Sequence, residues 1–405
     1  MGNLRKRLAS PALVSFALLW LVLLLIVGTV EQKYIGLYAA QQKYFSSFIL
    51  WQWGILPLPA TKSVLVIISL GIAAKVLHIS AWRINKLGNS LAHAGVLFLL
   101  VGTLIGGYNK LEGYIVLDEG QSKEYMEDYY AAELVIVQLS DAPDEVQDAL
   151  QADNPGAGPD AGQNSLASHT FKRQQLSEGA VLQTAGLPFS IRIDKFFDNV
   201  QLERVSSATR QYDPNEYTGF AKIFQLSDKK SEINREEDLS GTYFTVTDEQ
   251  NKQVIGRYAV FENMPITQSI SYKDDVYQVI MRPQRNTLPF GMQLIDFTVG
   301  YHPASAVASD YKSVVSLLDN QLISGQREVI EMNKPLRYKN WTVYQSAFTQ
   351  TEQQTTSILV AVRNSGRLIP YIAGLIISFG LLLHIFIRLP QLKVRPRNKK
   401  AAAAA

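Results

Sequence analysis

"NSLAHAGVLFLLVGTLIGGY", Asn89 to Tyr108, has the length and apolarity of a membrane-crossing helix, broken only by His93. Reading outward from it, three more stretches reach bilayer-spanning length: Pro11–Val30, Lys62–Trp82 and Leu368–Ile387. Basic residues orient all four the same way. Arg5, Lys6 and Arg7 precede the first span, and Arg83 and Lys86 occupy the short "RINKLGN" turn before the third. Lys393, Arg395, Arg397, Lys399 and Lys400 follow the fourth. Lysine- and arginine-rich flanks stay in the cytoplasm, so both termini are expected there and the long segment from about residue 109 to 367 is expected outside. The basic start of the first span also resembles a signal-peptide n-region, but its long apolar core and the later spans favour an uncleaved anchor.

The expected fold is therefore an integral membrane protein of four transmembrane helices, three plus one, carrying a large extracytoplasmic all-β domain. The divisions are residues 1–108 for three helices, 109–367 for the β domain, 368–388 for the fourth helix and 389–405 for a basic cytoplasmic tail. The terminal Ala401–Ala405 run is set aside. Of the 405 residues, 47% are apolar and 19% charged, with a formal charge of +3, a balance too even for a nucleic-acid partner. There is no cysteine, which excludes thiol chemistry, cysteine metal sites and covalent haem attachment on this chain.

Between the first two spans, residues 31–60 read "EQKYIGLYAAQQKYFSSFILWQWGILPLPA". Aromatic residues of this kind settle at headgroup depth, and an interfacial helix ended by Pro57 and Pro59 is expected. It serves either as a membrane-surface anchor or as the wall of a ligand or partner site.

The exported segment reads as β. "FSIRID" alternates, with Phe189, Ile191 and Ile193 on one face. "ELVIVQL" (Glu133–Leu139) has strand length, and "YFTVTDEQNKQVIGRYAVF" reads as a hairpin about its polar turn. "DAPDEVQDALQADNPGAGPDAGQNS", 141–165, reads as a coreless surface excursion, with His169 at its end. "LPFSIRIDKF" (Leu187–Phe196) recurs as "LPFGMQLIDF" (Leu288–Phe297). Likewise "ENMPITQSISYKDDVYQV" (Glu262–Val279) is echoed by "MNKPLRYKNWTVYQS" (Met332–Ser346). A tandem repeat follows, with units of about 187–279 and 288–346. No catalytic motif is present in it, and His169 and His302 read as surface residues.

Three of five histidines lie in spans: His78, His93 and His384, all at the end expected to be cytoplasmic. Gly95, Gly102 and Gly106 share a stripe of the third span suited to close helix packing. At 100° per residue His93 points nearly opposite, alongside Val96, Leu97, Leu100 and Leu104, so it is expected to face away from its own bundle. A polar group facing lipid needs a partner. Two readings stand side by side: an axial haem ligand shared with another chain, or an imidazole satisfied by a backbone carbonyl or water. His78 and His384 lie near the interface, where snorkelling is the first reading and a part in cofactor binding the second. Lys75 shares a face with His78 and either snorkels too or receives a haem propionate.

Several stretches together, "GTVEQKYIGLYAAQQKYFSSFI", "LPLP", "LAHAGVLFLLVGTLIG" leading into "LEGYIVLDEG", "LPFSIRID" and "NKPLRYKNWTVYQSAF", resemble the ResB (CcsB) family of system II cytochrome c biogenesis membrane proteins. The resemblance implies a haem-handling subunit that works with a polytopic ResC/CcsA-type partner to carry haem b across the membrane for attachment to exported apocytochrome c. It implies that His93, the third-span histidine, contributes to an intramembrane haem site with a histidine of the partner, and that this chain is a non-catalytic subunit. The tryptophan-rich haem signature of the outer face belongs to the partner and is absent from "LWQWGILPLP". This chain also reads "LPLPA" where the family often has a glycine pair. A haem- or quinone-linked electron-transfer subunit and a structural adaptor are the alternatives.

Overall fold

The computed structural model describes residues 7–78, 82–108, 110–139, 168–205, 216–305, 307–319, 325–351 and 354–392. The 141–165 excursion, the basic residues Arg5 and Lys6, and the tail beyond residue 392 lie outside them. The chain divides into a helical unit, running to Leu111 and resuming at Val362, and a β unit, Glu112–Ala361.

Among the described residues, four long helices build the helical unit: α1 (Pro11–Ile35), α2 (Thr61–Val76), α3 (Leu87–Tyr108) and α4 (Ile369–Leu392). Proline in the first turn of α1 costs no hydrogen bond, and Gly36, at φ 83°, ends it. Among the described residues, three helical stretches are long and apolar enough to cross a membrane: Pro11–Ile35, Ile84–Gly107 and Ile369–Leu389. The second expected span is shorter than its sequence suggests. α2 has 16 residues, and the Trp82 indole N–H donates to the Val76 carbonyl at its end, 2.8 Å away.

Residues 36–60 correct the expected interfacial helix. Helical structure runs only over Leu37–Ala40 and one π turn, Gln41–Phe45. The prolines belong instead to a β-hairpin, β1 (Ile49–Gln52) and β2 (Leu56–Pro59). Proline lacks an N–H but is tolerated on a two-stranded edge, whereas "FILWQW" carries the β-branched and aromatic residues that favour strands. The segment folds back along α1. Phe45 lies against Gly28, Tyr44 and Leu50 are buried beside Leu24, and the Trp20 indole donates to the Pro59 carbonyl at 2.8 Å. Trp20 is about 22 Å down the helix from Ile35. So α2 starts beside the middle of α1, and the returning segment fills the length α2 does not.

The β unit has sixteen named strands among its described residues, β3 (Leu111–Asp118), β4 (Ser122–Gln138), β5 (Ser168–Lys172), β6 (Val181–Leu182), β7 (Phe189–Phe197), β8 (Val200–Arg204), β9 (Phe224–Asp228), β10 (Gly241–Asp248), β11 (Val254–Phe261), β12 (Gln268–Tyr272), β13 (Asp275–Tyr301), β14 (Ala308–Leu318), β15 (Gln326–Glu331), β16 (Leu336–Tyr338), β17 (Trp341–Gln350) and β18 (Thr355–Arg363). They form a ten-stranded sheet, a four-stranded sheet ordered β11-β10-β7-β6, and the β8–β9 ribbon. The alternation of "FSIRID" is realised: Phe189, Ile191 and Ile193 are fully buried. The hairpin read in "YFTVTDEQNKQVIGRYAVF" is β10–β11. His169 sits not in a loop but in β5, paired with Ile136, because Phe171 needs a place in the core.

The two echoing segments have the same local structure. Each begins with a strand, β7 or the second half of β13, that buries alternate residues: Leu187, Phe189, Ile191 and Ile193, or Leu288, Phe290, Met292 and Leu294. Two antiparallel neighbours follow in order, β10 and β11 or β14 and β15. Next comes Asn-x-Pro, with Asn263 at φ 58° or Asn333 at φ 64°. A hairpin with a two-residue loop closes each, β12–β13 across Lys273-Asp274 or β16–β17 across Lys339-Asn340. Each segment serves its own apolar core.

β4 and β13 run through both cores. Leu134, Ile136, Val279 and Met281 serve one; Met126 and Met292 serve the other. Where β13 passes between them it shifts register around Pro283 and again around Pro289, since proline cannot hold a ladder bond. At this crossing Arg282 pairs with buried Glu133 at 3.0 Å and Arg285 with Glu127 at 3.4 Å. Desolvation pushes the Arg282 guanidinium below its ordinary range, and the neighbouring Arg285 charge adds to that.

Candidate functional site

α3 has neighbours on two sides. Its glycines meet α4 at backbone distance. A β-carbon on Gly88 would strike the His384 backbone, one on Gly95 would come within 2.7 Å of Ile377, and one on Gly102 within 2.5 Å of Ile369. Gly106 lies against Gly366. The opposite face, with Val96, Leu97 and Leu100, packs on the α1–α2 cluster of Ala17, Leu24, Ile68, Ile72 and Val76. His93 is on this second face. The expectation that it turns away from its own bundle is therefore overturned. Helical periodicity gave its angle to the glycines correctly but not the presence of α2 on that side.

What His93 meets there defines the site. Its Nδ1 lies 2.7 Å from the Asn89 carbonyl oxygen. A carbonyl only accepts, so Nδ1 carries the proton and Nε2 keeps its lone pair. Nε2 lies 3.1 Å from Nζ of Lys75, whose ammonium donates to it. Lys75 stands in the last turn of α2, where the helix dipole favours a cation. The imidazole is half-buried and the lysine exposed, and the pair bridges α2 and α3.

An imidazole held by an Nδ1–H···O=C bond, with Nε2 left as the acceptor, is the form in which histidine ligates metals. The donor set thus fits an axial ligand to haem iron, and the ammonium fits a propionate. The structure brings Lys75 to His93. It brings the His384 backbone against α3 on the glycine face, at Gly88. His78 lies just past the end of α2, after Leu77. Two contributors escaped the sequence. The Asn89 carbonyl was legible in principle, being four residues back on the same helix. Trp82, which caps α2 below Lys75, gave no signal.

The β unit contains a cleft of about 90 Å³ whose lining includes Tyr114, Asp128, Tyr129, Arg235, Glu236 and Glu262. That is too small for a porphyrin. Burial, then the Glu112 and Glu236 carboxylates, push the Tyr129 hydroxyl up to about 12. Tyr114 is raised further, again by burial first and then by Glu127 and Glu262. Both phenols stay neutral and serve as hydrogen-bonding groups. His302 is exposed in a turn. Among the described residues no three His, Cys, Asp or Glu side chains converge to hold a metal ion.

Comparison with known proteins adds identity to this geometry. Residues 256–400, from β11 through α4, match the ResB-like family. Protein NrfI of Wolinella succinogenes is 30% identical over 103 residues, which is 25% of this chain and 11% of that protein's length. His93 and Lys75 lie outside the family match, and His384 lies inside it. The similarity to the ResB-like family covers residues 256–400, about a third of the chain.

Proposed function

We propose that this protein is a haem-handling membrane subunit of a system II cytochrome c synthetase, with His93 as an axial ligand to haem b in passage. The carrying observation is the contact geometry: Nδ1 lies 2.7 Å from the Asn89 carbonyl oxygen and Nε2 lies 3.1 Å from the Lys75 ammonium, the arrangement expected of an Nδ1–H tautomer. The family match over β11 to α4 supports a role in cytochrome c biogenesis. In this reading all four helices belong to the membrane-embedded unit. Both termini are cytoplasmic and the β unit is extracytoplasmic, built from two copies of one β fold as the matching succession of strands suggests. Haem is cargo. This chain binds and orients it through His93 and pairs a propionate with Lys75. A ResC/CcsA-type polytopic subunit supplies the second axial ligand and attaches the haem to apocytochrome c.

The test is a visible spectrum of the chain purified together with its membrane partner. His93→Ala is expected to remove the b-type haem absorption attributable to this site, and added imidazole to restore it. Unchanged haem content in that variant would overturn the assignment. An electron-transfer subunit would hold its haem between two ligands of this one chain. His384 approaches α3 on the face opposite His93, which does not favour that arrangement.

A further inference from the structure

The nitrogen that would ligate iron is already in use. Nε2 of neutral His93 has a single lone pair, and Lys75 donates into it across 3.1 Å. That lone pair accepts one hydrogen bond or makes one metal bond, not both. We propose that Lys75 is a displaceable cap on His93: it holds the imidazole closed to electrophiles until an entering ligand moves it aside. The inference rests on the proposed haem site for its biological meaning, but the cap itself is a statement about two side chains of this protein.

Three features make the cap removable and not a fixed brace. Lys75 is exposed and sits on a flexible four-carbon stem, so its head can swing without moving α2. Its ammonium retains a favourable place when displaced, because it stands in the last turn of α2, at the negative end of that helix. The imidazole, in contrast, is anchored from behind by Asn89 and keeps its orientation when Lys75 leaves. The ligand is pre-oriented and its cover is mobile. Displacing the cap gives up one hydrogen bond from a charged donor, which corresponds to a rate or affinity gain of about 10- to 100-fold when the lysine is removed. This differs from a role in propionate binding alone, for which removing Lys75 only weakens binding.

The experiment uses the full-length chain in detergent micelles, with Lys75→Met, Lys75→Arg and His93→Ala as variants. In the first arm, diethyl pyrocarbonate acylates free imidazole nitrogen, and modification of the His93-containing peptide is followed by mass spectrometry. Modification at least about tenfold faster in Lys75→Met than in wild type, with Lys75→Arg near wild type, is expected. Equal rates in wild type and Lys75→Met overturn the cap. In the second arm, added haemin is followed by absorbance, and Lys75→Met is expected to associate faster than wild type while His93→Ala loses the signal. Slower association in Lys75→Met overturns the cap in favour of a propionate contact only. Faster acylation together with haemin binding that is indifferent to His93→Ala upholds the cap and overturns the haem assignment. Gel filtration of each variant confirms that a change of rate is not a change of fold.

Discussion

The helical unit and the β unit are held together in opposite ways. In the helical unit glycines bring backbone against backbone, at Gly88 with His384, Gly380 with Ala92, and Gly106 with Gly366. In the β unit the dominant contacts are large side chains: Phe189, Phe244, Ile191 and Ile193 are fully buried in one core, and Leu117, Met126 and Met292 in the other. The difference follows from solvent. Lipid tails are as apolar as leucine, so helices there gain little by burying large side chains and much by approaching closely through small ones. In water the gain comes from apolar area removed from solvent. The first unit is consequently sensitive to atoms added, and the second to atoms removed.

The strongest test of this contrast is Gly88→Val. The new side chain would collide with the His384 backbone and with the Gly380 carbonyl, neither of which can rotate away. Separation of α3 from α4 is expected, seen as loss of monodisperse protein in detergent. A monodisperse, thermally unchanged variant would break the comparison. The counterpart in the β unit is Phe244→Ala, which empties a fully buried site stacked on Tyr258 at 5.6 Å between ring centroids. A cost of about 3–5 kcal/mol is expected. Amide exchange over β10 and β11 in the intact protein should rise accordingly, while α3 and α4 stay protected.

Much of this contrast was legible in the sequence because each solvent writes its own pattern. The glycine stripe of α3 and the strict alternation of "LPFSIRID" both gave the buried face correctly. What failed was anything depending on a neighbour distant in sequence. His93 was assigned to the outer surface because its angle to the glycines was known and the position of α2 was not. Lys75 and His93 are 18 residues apart on different helices, so their hydrogen bond has no signature at one-residue resolution. The 36–60 segment misled for another reason. Its aromatic content fits an interfacial helix and a strand equally, and the fold-back onto Trp20 and Gly28 decided for the hairpin. Polar geometry at the site was thus the least legible part. The periodic apolar scaffold around it was the most.

A subtler test sharpens the comparison within the β unit, where the two echoing segments should respond alike. Asn263 and Asn333 both hold the left-handed conformation ahead of their prolines. Replacement by Ala at either site is expected to cost about 1 kcal/mol, and replacement by Gly to be neutral or mildly stabilising. Thermal unfolding of the two Ala variants side by side provides the measurement. A loss at one position only would show that the local turns match while their surroundings do not.

The smallest effect expected is electrostatic and confined to the β unit, where burial acts on the carboxylate of Glu262. Glu262 is nine-tenths buried, and its Oε2 accepts the Ser240 N–H at 2.7 Å. Burial raises its carboxyl above the ordinary glutamate range, and the Ser240 hydrogen bonds only partly offset this. The sign of the linkage follows. Between the unfolded and the raised folded value, the folded protein binds more protons than the unfolded chain, so stability falls as pH rises through that window. Above it the cost of a buried charge is present in full, and below it the cost is absent. Glu262→Gln keeps an acceptor for Ser240 and removes the charge. Its melting temperature should match wild type in acid and exceed it by a small margin at neutral pH. Parallel curves for the two proteins across that range would mean that the cleft beside Glu262 solvates its charge as well as bulk water does.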